Sequence, residues 1–357
     1  MANVIYVVTN REVNPSARGF RKFGKGLNSL GAHELRIARV EKARGTYSIK
    51  ILAEPDRGKM EDGTADPPSK KAAREIFQAL EAAPRTGARR RDLVLFVHGF
   101  NNDMEAVVDR AFELRRIYNV EIVAFSWPAN GGGVGGVTSY KSDKRDARAS
   151  AGALDRLLDM IRAYLDEFRQ ANLHQLRANL RERYGDNPER VEQLLTRQAL
   201  RNCPFRISLM CHSMGNYLFK NLLQSSVFSG SKLIFDNVLM VAADTNNSGH
   251  QEWVDRIQAR NRVYVTINEN DSALKVSRLK GGEEQLARLG HYPYNLYSRQ
   301  TVYMDFTNTS KVGDEHAYFE GKPTENARVK RFFHRALHGM TAESSENYDA
   351  ARNLYTP

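Results

Sequence analysis

Apolar runs and amphipathic stretches alternate between residues 92 and 338. The runs are mostly apolar, and the first, "DLVLFV", is continuously apolar after Asp92, which is typical of a strand buried on both faces. They lie at 92–97, 121–126, 205–210, 233–241, 262–267 and 301–306. The stretches repeat apolar residues at helical spacing and predict helices at 104–118, 143–168, 213–224, 250–259 and 325–338. Strands alternating with helices predict an α/β protein with a mostly parallel sheet covered on both faces.

The first 91 residues are strand-rich. Runs of β-branched and aromatic residues predict strands at 4–9, 34–40 and 47–53. A polar loop at 55–68 precedes a helix that begins near Ser69. We therefore assign residues 1–91 to an N-terminal extension of the same domain, 92–340 to the core and 341–357 to a C-terminal tail.

A helical insertion interrupts the core at about 168–202. Leucines continue at helical spacing as far as Leu180, and Gly185 ends that pattern. Asn187 and Pro188 then supply an N-cap and a first-turn proline for another helix. The spacing predicts a helical hairpin that projects as a cap or as a docking surface.

Composition and charge exclude several classes of protein. Two cysteines in 357 residues are too few for a disulfide framework, which indicates a reducing compartment. No stretch has the length or apolarity of a leader or a membrane span, so we expect a cytoplasmic protein. The net charge of +11 is concentrated in residues 1–91, which hold 19 Lys and Arg against 10 Asp and Glu. This region is either a solvated basic face or a surface for an anionic partner, and no nucleic-acid-binding motif accompanies it.

The segment "RISLMCHSMGNYLF" at 206–219 resembles a nucleophile elbow, the strand–turn–helix that carries the serine of many hydrolases. The usual pattern is Gly-x-Ser-x-Gly, and here Cys211 stands in the first glycine position. Cysteine is small and unbranched at Cβ, so it satisfies the steric need for a small residue. Ser213 is therefore the candidate nucleophile, at the N-terminus of a helix.

A second motif, "LVLFVHGFNND", places His98 and Gly99 directly after a buried strand. Hydrolases of this architecture turn the chain here to aim a backbone N–H at the oxyanion. We expect the N–H groups of Phe100 and Met214 to be the two donors. We place the substrate pocket beside these motifs, at His98, Asn101, Trp127 and His212, although ordinary core packing is an equal alternative for Trp127.

The base and the acid are expected after the serine, in the order serine, acid, histidine. His316 follows the last core strand in a loop and is the candidate base, with His291 as a lesser rival; His334 and His338 are expected to be surface residues. Asp271 is the candidate acid, and Asp244 is the alternative. Either carboxylate could instead be a helix N-cap. No cofactor or metal is needed for this chemistry, and no metal-binding spacing occurs.

Six segments together resemble a bacterial family of α/β-hydrolase-fold proteins of uncharacterised function that is described as esterase- or lipase-like. They read "VLFVHGFNND", "VAFSWP", "MCHSMGN", "VAADTN", "NENDSALKVS" and "GDEHAYF", and the resemblance covers roughly residues 4–12 and 92–320. It implies that Ser213 is the nucleophile, Asp271 the acid and His316 the base. The long insertion at 168–202 and the glycine-rich "NGGGVGGV" at 130–137 depart from the family pattern, where we expect substrate access to be set.

These features predict an α/β-hydrolase that cleaves small-molecule or lipid carboxylic esters through an acyl-enzyme. The glycine-rich stretch is expected to be a mobile loop, because it lacks the spacing of a phosphate-binding motif. A transfer enzyme with an acceptor other than water retains the same triad. The alternative from another class is a non-catalytic module that binds an anionic or protein partner through its basic N-terminal region and helical insertion.

Overall fold

The computed structural model describes residues 3–52, 67–82, 91–129, 136–185, 187–201, 205–225, 233–279, 287–344 and 346–357. The strands in these residues are β1 (Val4–Thr9), β2 (Arg11–Val13), β3 (Phe23–Leu27), β4 (Arg36–Ala43), β5 (Thr46–Ile51), β6 (Leu93–Val97), β7 (Glu121–Ser126), β8 (Ile207–His212), β9 (Asn237–Val241), β10 (Arg262–Ile267), β11 (Thr301–Asp305), β12 (Asn347–Asp349) and β13 (Leu354–Thr356). The helices are α1 (Pro68–Glu81), α2 (Met104–Tyr118), α3 (Gly136–Ala149), α4 (Ala151–Tyr184), α5 (Pro188–Arg201), α6 (Gly215–Gln224), α7 (Gln251–Val254), α8 (Ser272–Leu279) and α9 (Ala327–Leu337).

The main sheet has the strand order β12-β13-β11-β10-β9-β8-β6-β7-β1-β4-β5. Strands from β13 through β11, β10, β9, β8, β6 and β7 to β1 are parallel, and antiparallel pairs occur at the two edges. Within the described residues, β2 and β3 form a separate antiparallel pair. This arrangement confirms the predicted fold, a mostly parallel sheet of the α/β-hydrolase kind.

The central strands are buried on both faces. In β6, Leu93, Leu95 and Val97 belong to one apolar cluster, whereas Val94 and Phe96 belong to the other. Side chains alternate between the two faces of a strand, so a continuous apolar run is what this position requires. Helices α4 and α6 contribute to the first cluster, and α2 and α9 contribute to the second.

Both terminal regions contribute strands to the main sheet. The N-terminal extension is continuous with the main sheet, because β1 pairs with β7 and carries β4 and β5 beyond it. The residues after 341 are more than a tail. They contain β12 and β13, and β13 pairs with β11 and buries Leu354 completely. These strands are only three residues long, so their sequence lacks the periodicity that identifies a strand.

The predicted helix at 143–168 is also corrected. It is divided at Ser150 into α3 and α4, and α4 continues without interruption to Tyr184. The side chain of Asn187 then accepts a hydrogen bond from the Arg190 N–H and caps α5, as the sequence predicts. The helical hairpin at 168–202 is therefore formed by the distal half of α4 together with α5.

The hairpin lies at the amino end of the parallel strands. Phe168, where it begins, packs against Phe205 at a ring-centroid distance of 5.7 Å, and Phe205 lies two residues before the start of β8. Ser213 follows the opposite end of the same strand. This position corrects the expectation that the insertion caps the site and sets substrate access, because its base is a full strand length away from the serine.

Several sequence predictions fall outside the described residues. They concern most of the polar loop at 55–68, most of the glycine-rich stretch at 130–137, and Cys203. In the part of the chain that the structure covers, no helix has both the length and the apolarity to cross a bilayer.

The buried edge strand β13 generates a stability prediction. We expect Leu354→Ala to lower the free energy of unfolding by about 2–4 kcal/mol, because it removes a fully buried leucine side chain. Leu30→Ala is the matched control, since Leu30 is 73% exposed. Chemical denaturation measures both, and equal effects would contradict the structural role of β13.

Candidate active site

The carboxyl ends of the parallel strands meet at one edge of the sheet. Segments that follow β6, β8, β9 and β10 contain Gly99, Ser213, Asp244 and Asp271, respectively. Ligands and substrates of parallel α/β proteins bind at this edge, because the loops there converge. The structure therefore brings the predicted motifs of four separate strands to one place.

Ser213 occupies the left-handed backbone region with φ of 53°. Its N–H donates to the carbonyl of Val241 at 3.0 Å, and its own carbonyl accepts from the N–H of Asp244 at 3.2 Å. A serine with positive φ is uncommon and is held there by its surroundings. The strand-to-helix turn thus has the strained geometry of a nucleophile elbow, and the serine is 5% exposed.

Two glycines allow the chain to approach this turn closely. A Cβ on Gly99 would lie 2.6 Å from the Ser213 Cβ and 3.1 Å from its Oγ. A Cβ on Gly215 would lie 2.7 Å from the carbonyl oxygens of Val97 and His98. Any side chain at either position would therefore displace the serine or the loop after β6.

Asn216 fixes the turn from inside the protein. Its fully buried amide donates to the carbonyls of Cys211, Ser213 and Val241 at 3.0 to 3.2 Å. These carbonyls belong to the end of β8, the turn and the end of β9, so one side chain joins all three. The asparagine of "HSMGN" is thus a structural residue of the elbow.

His316 and Asp271 form the pair that the sequence predicts. The Nδ1–H of His316 donates to Asp271 Oδ2 at 2.7 Å. The carboxylate is fully buried, whereas the histidine side chain is 23% exposed. The other oxygen of Asp271 accepts from the Leu274 N–H at 2.9 Å, so this aspartate both caps α8 and orients the histidine. The N-cap alternative and the acid assignment are compatible.

The loop that carries His316 is held against the strand ends. Asn268 donates to the carbonyls of Gly313 and Glu315 at 3.1 and 3.2 Å. The Tyr318 hydroxyl is 2.6 Å from Thr266 Oγ1 and accepts from the Ala242 N–H at 3.3 Å. His316 lies between these anchors, and its ring is 4.7 Å from that of His212, the residue before Ser213.

Asp244 is engaged in a different network. Its carboxylate is 3.1 Å from Arg288 Nε and accepts hydrogen bonds from Ser277 at 2.7 Å and Tyr140 at 2.9 Å. Both members of the ion pair are almost completely buried. None of the described histidines is hydrogen-bonded to Asp244, so the geometry favours Asp271 over Asp244 as the acid.

His98 and Trp127 brace the site and do not line a cleft, which corrects their assignment to the substrate pocket. Both are fully buried, and their rings stack at 5.1 Å with an angle of 2°. The backbone N–H of Trp127 donates to His98 Nε2, so His98 is neutral with its proton on Nδ1, which donates to the Gly99 carbonyl. Burial lowers the pKa of His98 to about 3, with a smaller effect from Arg11.

His212 and Asn101 flank the serine at different depths. His212 is 2% exposed, its Nε2 donates to the His316 carbonyl at 3.2 Å, and its pKa is lowered well below 6.5, mainly by burial. A neutral His212 thus supports the loop that carries the candidate base. Asn101 is exposed and has φ of 58° in the turn after β6. Of the four predicted pocket residues, it alone presents an exposed side chain.

The expected oxyanion donors lie on either side of Ser213. Met214 is the N-cap residue of α6, and Phe100 follows the glycine that contacts the serine. The Gly99 carbonyl shares its peptide group with the Phe100 N–H, and it accepts from His98 Nδ1 at 2.9 Å and from the Asn102 amide at 3.3 Å, which fixes the orientation of that peptide group. Backbone N–H groups at a helix N-terminus favour negative charge.

The remaining histidines near the C-terminus differ from expectation. His338 is buried, and its Nδ1 donates to Asp92 Oδ2 at 2.8 Å. Asp92 precedes β6, so this pair lies at the amino edge of the sheet, opposite Ser213. His291 is also buried, and no described side chain is hydrogen-bonded to its ring. The structure thus pairs His316, and not His291, with the candidate acid.

Arg11 supports the site, and sequence reasoning missed it. Its guanidinium is 2% exposed and donates to Ser126 Oγ at 3.0 Å, to the Asn102 carbonyl at 2.8 Å and to the Ala129 carbonyl at 3.4 Å. Burial lowers its pKa to about 10, so it is protonated at neutral pH. It joins the loops after β6 and β7, and only this long-range contact reveals its role.

The described residues include no group of three or more His, Cys, Asp or Glu side chains that is placed to hold a metal ion. A comparison with protein families matches residues 72–169 and 181–323 to the model described as "Alpha/beta hydrolase of unknown function (DUF900)". No curated protein and no solved structure matches the chain.

The environment of Cys211 generates a reactivity prediction. The thiol is fully buried, and burial raises its pKa. We expect iodoacetamide to leave Cys211 unmodified in the folded protein and to alkylate it after denaturation, because only an accessible thiolate reacts. A Cys203→Ser variant leaves Cys211 as the single thiol for mass spectrometry. Rapid alkylation of the folded variant would contradict the buried position.

Proposed function

We propose that this chain, which belongs to that family of alpha/beta hydrolases of unknown function, is a serine hydrolase that cleaves carboxylic esters. The observation that carries the proposal is the 2.7 Å His316–Asp271 pair beside a serine held at φ of 53°. A nucleophile on a strained turn and a histidine oriented by a carboxylate are the parts that acyl transfer through serine requires.

In the proposed acylation step, Ser213 Oγ attacks the ester carbonyl while its proton passes to His316 Nε2. The Nδ1–H of His316 remains bonded to Asp271, which stabilises the imidazolium. The negative charge on the carbonyl oxygen is stabilised by the N–H groups of Phe100 and Met214. The tetrahedral intermediate then expels the alcohol, which takes the proton from His316.

In the proposed deacylation step, His316 removes a proton from water, and the resulting hydroxide attacks the acyl-enzyme carbonyl. The second tetrahedral intermediate expels Ser213, which recovers its proton from His316, and the carboxylic acid is released. His316 must be neutral to accept each proton, so the proposed reaction requires the unprotonated imidazole.

The serine assignment predicts covalent labelling. A fluorophosphonate probe should label the folded protein at Ser213, as peptide mass spectrometry can locate. Ser213→Ala should abolish labelling and lower hydrolysis of a short p-nitrophenyl ester by several powers of ten.

Ser208→Ala is the matched control, because Ser208 is buried in β8 and its side chain bonds to the Ala336 carbonyl. This variant should keep the label. Labelling at another residue, or unchanged hydrolysis by Ser213→Ala, would contradict the assignment. A protein that is folded but neither labelled nor active would favour the non-catalytic binding module.

We expect substitution of Asp271 to lower activity and substitution of Asp244 to lower stability. Asp271→Asn should lower kcat by about three to four powers of ten and leave the protein folded, because an amide stabilises the wrong histidine tautomer. Asp244→Asn should instead lower the free energy of unfolding by about 3–5 kcal/mol, because it leaves the buried Arg288 charge uncompensated.

Steady-state kinetics and chemical denaturation on both variants separate the two roles. The opposite pattern, with an inactive but stable Asp244→Asn and an active Asp271→Asn, would transfer the acid role to Asp244.

A further inference from the structure

Arg110 connects two parts of the candidate site that are far apart in sequence. It lies on α2, and its Nη1 donates to Asn102 Oδ1 at 3.2 Å. On the other side, its Nε and Nη2 are 2.9 and 2.8 Å from Glu320 Oε1. Asn102 belongs to the turn after β6, and Glu320 follows His316 by four residues. The arginine therefore joins the turn of an expected oxyanion donor to the segment that carries the candidate base.

The contact with Arg110 determines the orientation of the Asn102 amide. A guanidinium can only donate hydrogen bonds, so the amide oxygen must face the arginine. The amide nitrogen then faces the turn, where it donates to the carbonyls of Phe100 at 2.7 Å and Gly99 at 3.3 Å. The Gly99 carbonyl and the Phe100 N–H belong to one planar peptide group, so the direction of the carbonyl fixes that of the N–H. Arg110 thus acts through Asn102 on an expected oxyanion donor.

The contact with Glu320 holds the segment after the candidate base. The side chains of Arg110 and Glu320 are 21% and 20% exposed, so water competes with this ion pair less than with a pair on the surface. The buried ring of Phe319 lies 5.8 Å from the guanidinium carbon of Arg110 and 5.0 Å from the ring of His212. His212 in turn is hydrogen-bonded to the His316 carbonyl. The ion pair therefore fixes a segment that packs directly against the serine turn.

We propose that Arg110 is a positioning residue for the reaction at Ser213, because it holds the oxyanion turn and the segment of His316 in a fixed relative position. The inference rests on the proposed function for the roles of Ser213 and His316. A planar guanidinium suits this task, since its N–H groups point in fixed directions and bind two partners at once. A lysine ammonium is a point charge on a flexible stem and does not fix both partners.

The first test is steady-state kinetics with a p-nitrophenyl ester. We expect Arg110→Met to lower kcat by about tenfold or more with little change in KM, because a misdirected oxyanion donor weakens binding of the transition state and not of the substrate. Arg110→Lys should restore only part of kcat. Arg116→Met is the matched control and should keep the wild-type kcat, since Arg116 pairs with Glu113 on the same helix but is 71% exposed.

A transition-state analogue separates positioning from loss of stability. A trifluoromethyl ketone forms a tetrahedral adduct with a reactive serine, and the adduct places an oxyanion at the donors. Arg110→Met should raise its inhibition constant by about the factor by which kcat falls. The corresponding methyl amide forms no adduct and should bind wild type and variant equally. Chemical denaturation measures the folded fraction, so that kcat is expressed per folded molecule.

A double-mutant cycle tests the connection through Asn102. Asn102→Ala removes the amide on which Arg110 acts, so Arg110→Met should lower kcat by a smaller factor in that variant than in the wild type. An equal factor in both backgrounds would contradict the connection to the oxyanion turn.

The outcomes distinguish this inference from the proposed function. If the wild type hydrolyses the ester but Arg110→Met loses no more kcat per folded molecule than Arg116→Met, Arg110 serves stability alone and the positioning role is overturned. A loss confined to KM, or an unchanged inhibition constant for the trifluoromethyl ketone, would also overturn it. A wild-type protein that neither hydrolyses the ester nor forms the adduct would overturn the proposed function, and this inference with it.

Discussion

The left-handed backbone of Ser213 is the constraint on which the rest of the site depends. A residue with a Cβ adopts φ of 53° at a cost in free energy, so the surrounding chain must supply the compensation. The hydrogen bonds to Val241 and Asp244 join the turn to β9, and the missing side chains of Gly99 and Gly215 let β6 approach it. The same close packing puts the turn after β6 beside the serine hydroxyl, where the oxyanion donors are expected. The positive φ of Ser213 and the close approach of the turn after β6 are therefore parts of the same local arrangement.

Buried polar groups hold the loops at this edge where apolar packing alone would leave them free to shift. Arg11 joins the loops after β6 and β7, Asn216 joins β8 to β9, and Asp244 with Arg288 joins the segments after β9 and α8. The charged side chains and the Asn216 amide nitrogen make hydrogen bonds inside the protein, which is the condition under which burial of a polar group is tolerated. The buried Arg11 and Arg288 are thus explained by the loops that they connect.

Sequence reasoning reached those features that depend on neighbouring residues. The continuous apolar run of β6, the small residue before the turn at Ser213 and the histidine after β11 all have local signatures, and the structure shows β6 buried and His316 hydrogen-bonded to Asp271. Sequence analysis missed the features that depend on contacts with distant parts of the chain. The three-residue strand β13 is identified only by its pairing with β11, and Arg11 only by loops more than 90 residues away. The local sequence of the insertion indicates its length but not the direction in which it projects. The expectation that it covers the site is therefore wrong. Helix α4 returns the chain to the amino edge, so the hairpin extends from there.

Two histidine–aspartate pairs in this protein have nearly the same geometry, yet only one is suited to chemistry. The distances are 2.7 Å for His316–Asp271 and 2.8 Å for His338–Asp92, so the hydrogen bond itself does not distinguish them. The other ring nitrogen of each histidine distinguishes the two pairs. His338 Nε2 is 2.9 Å from the Tyr118 carbonyl and its side chain is 3% exposed, so both of its nitrogens serve the fold. His316 is 23% exposed and stands at the carboxyl edge, where the strand polarity collects the reactive groups. The direction of the strands, more than the hydrogen bond itself, therefore separates the proposed catalytic pair from the structural one.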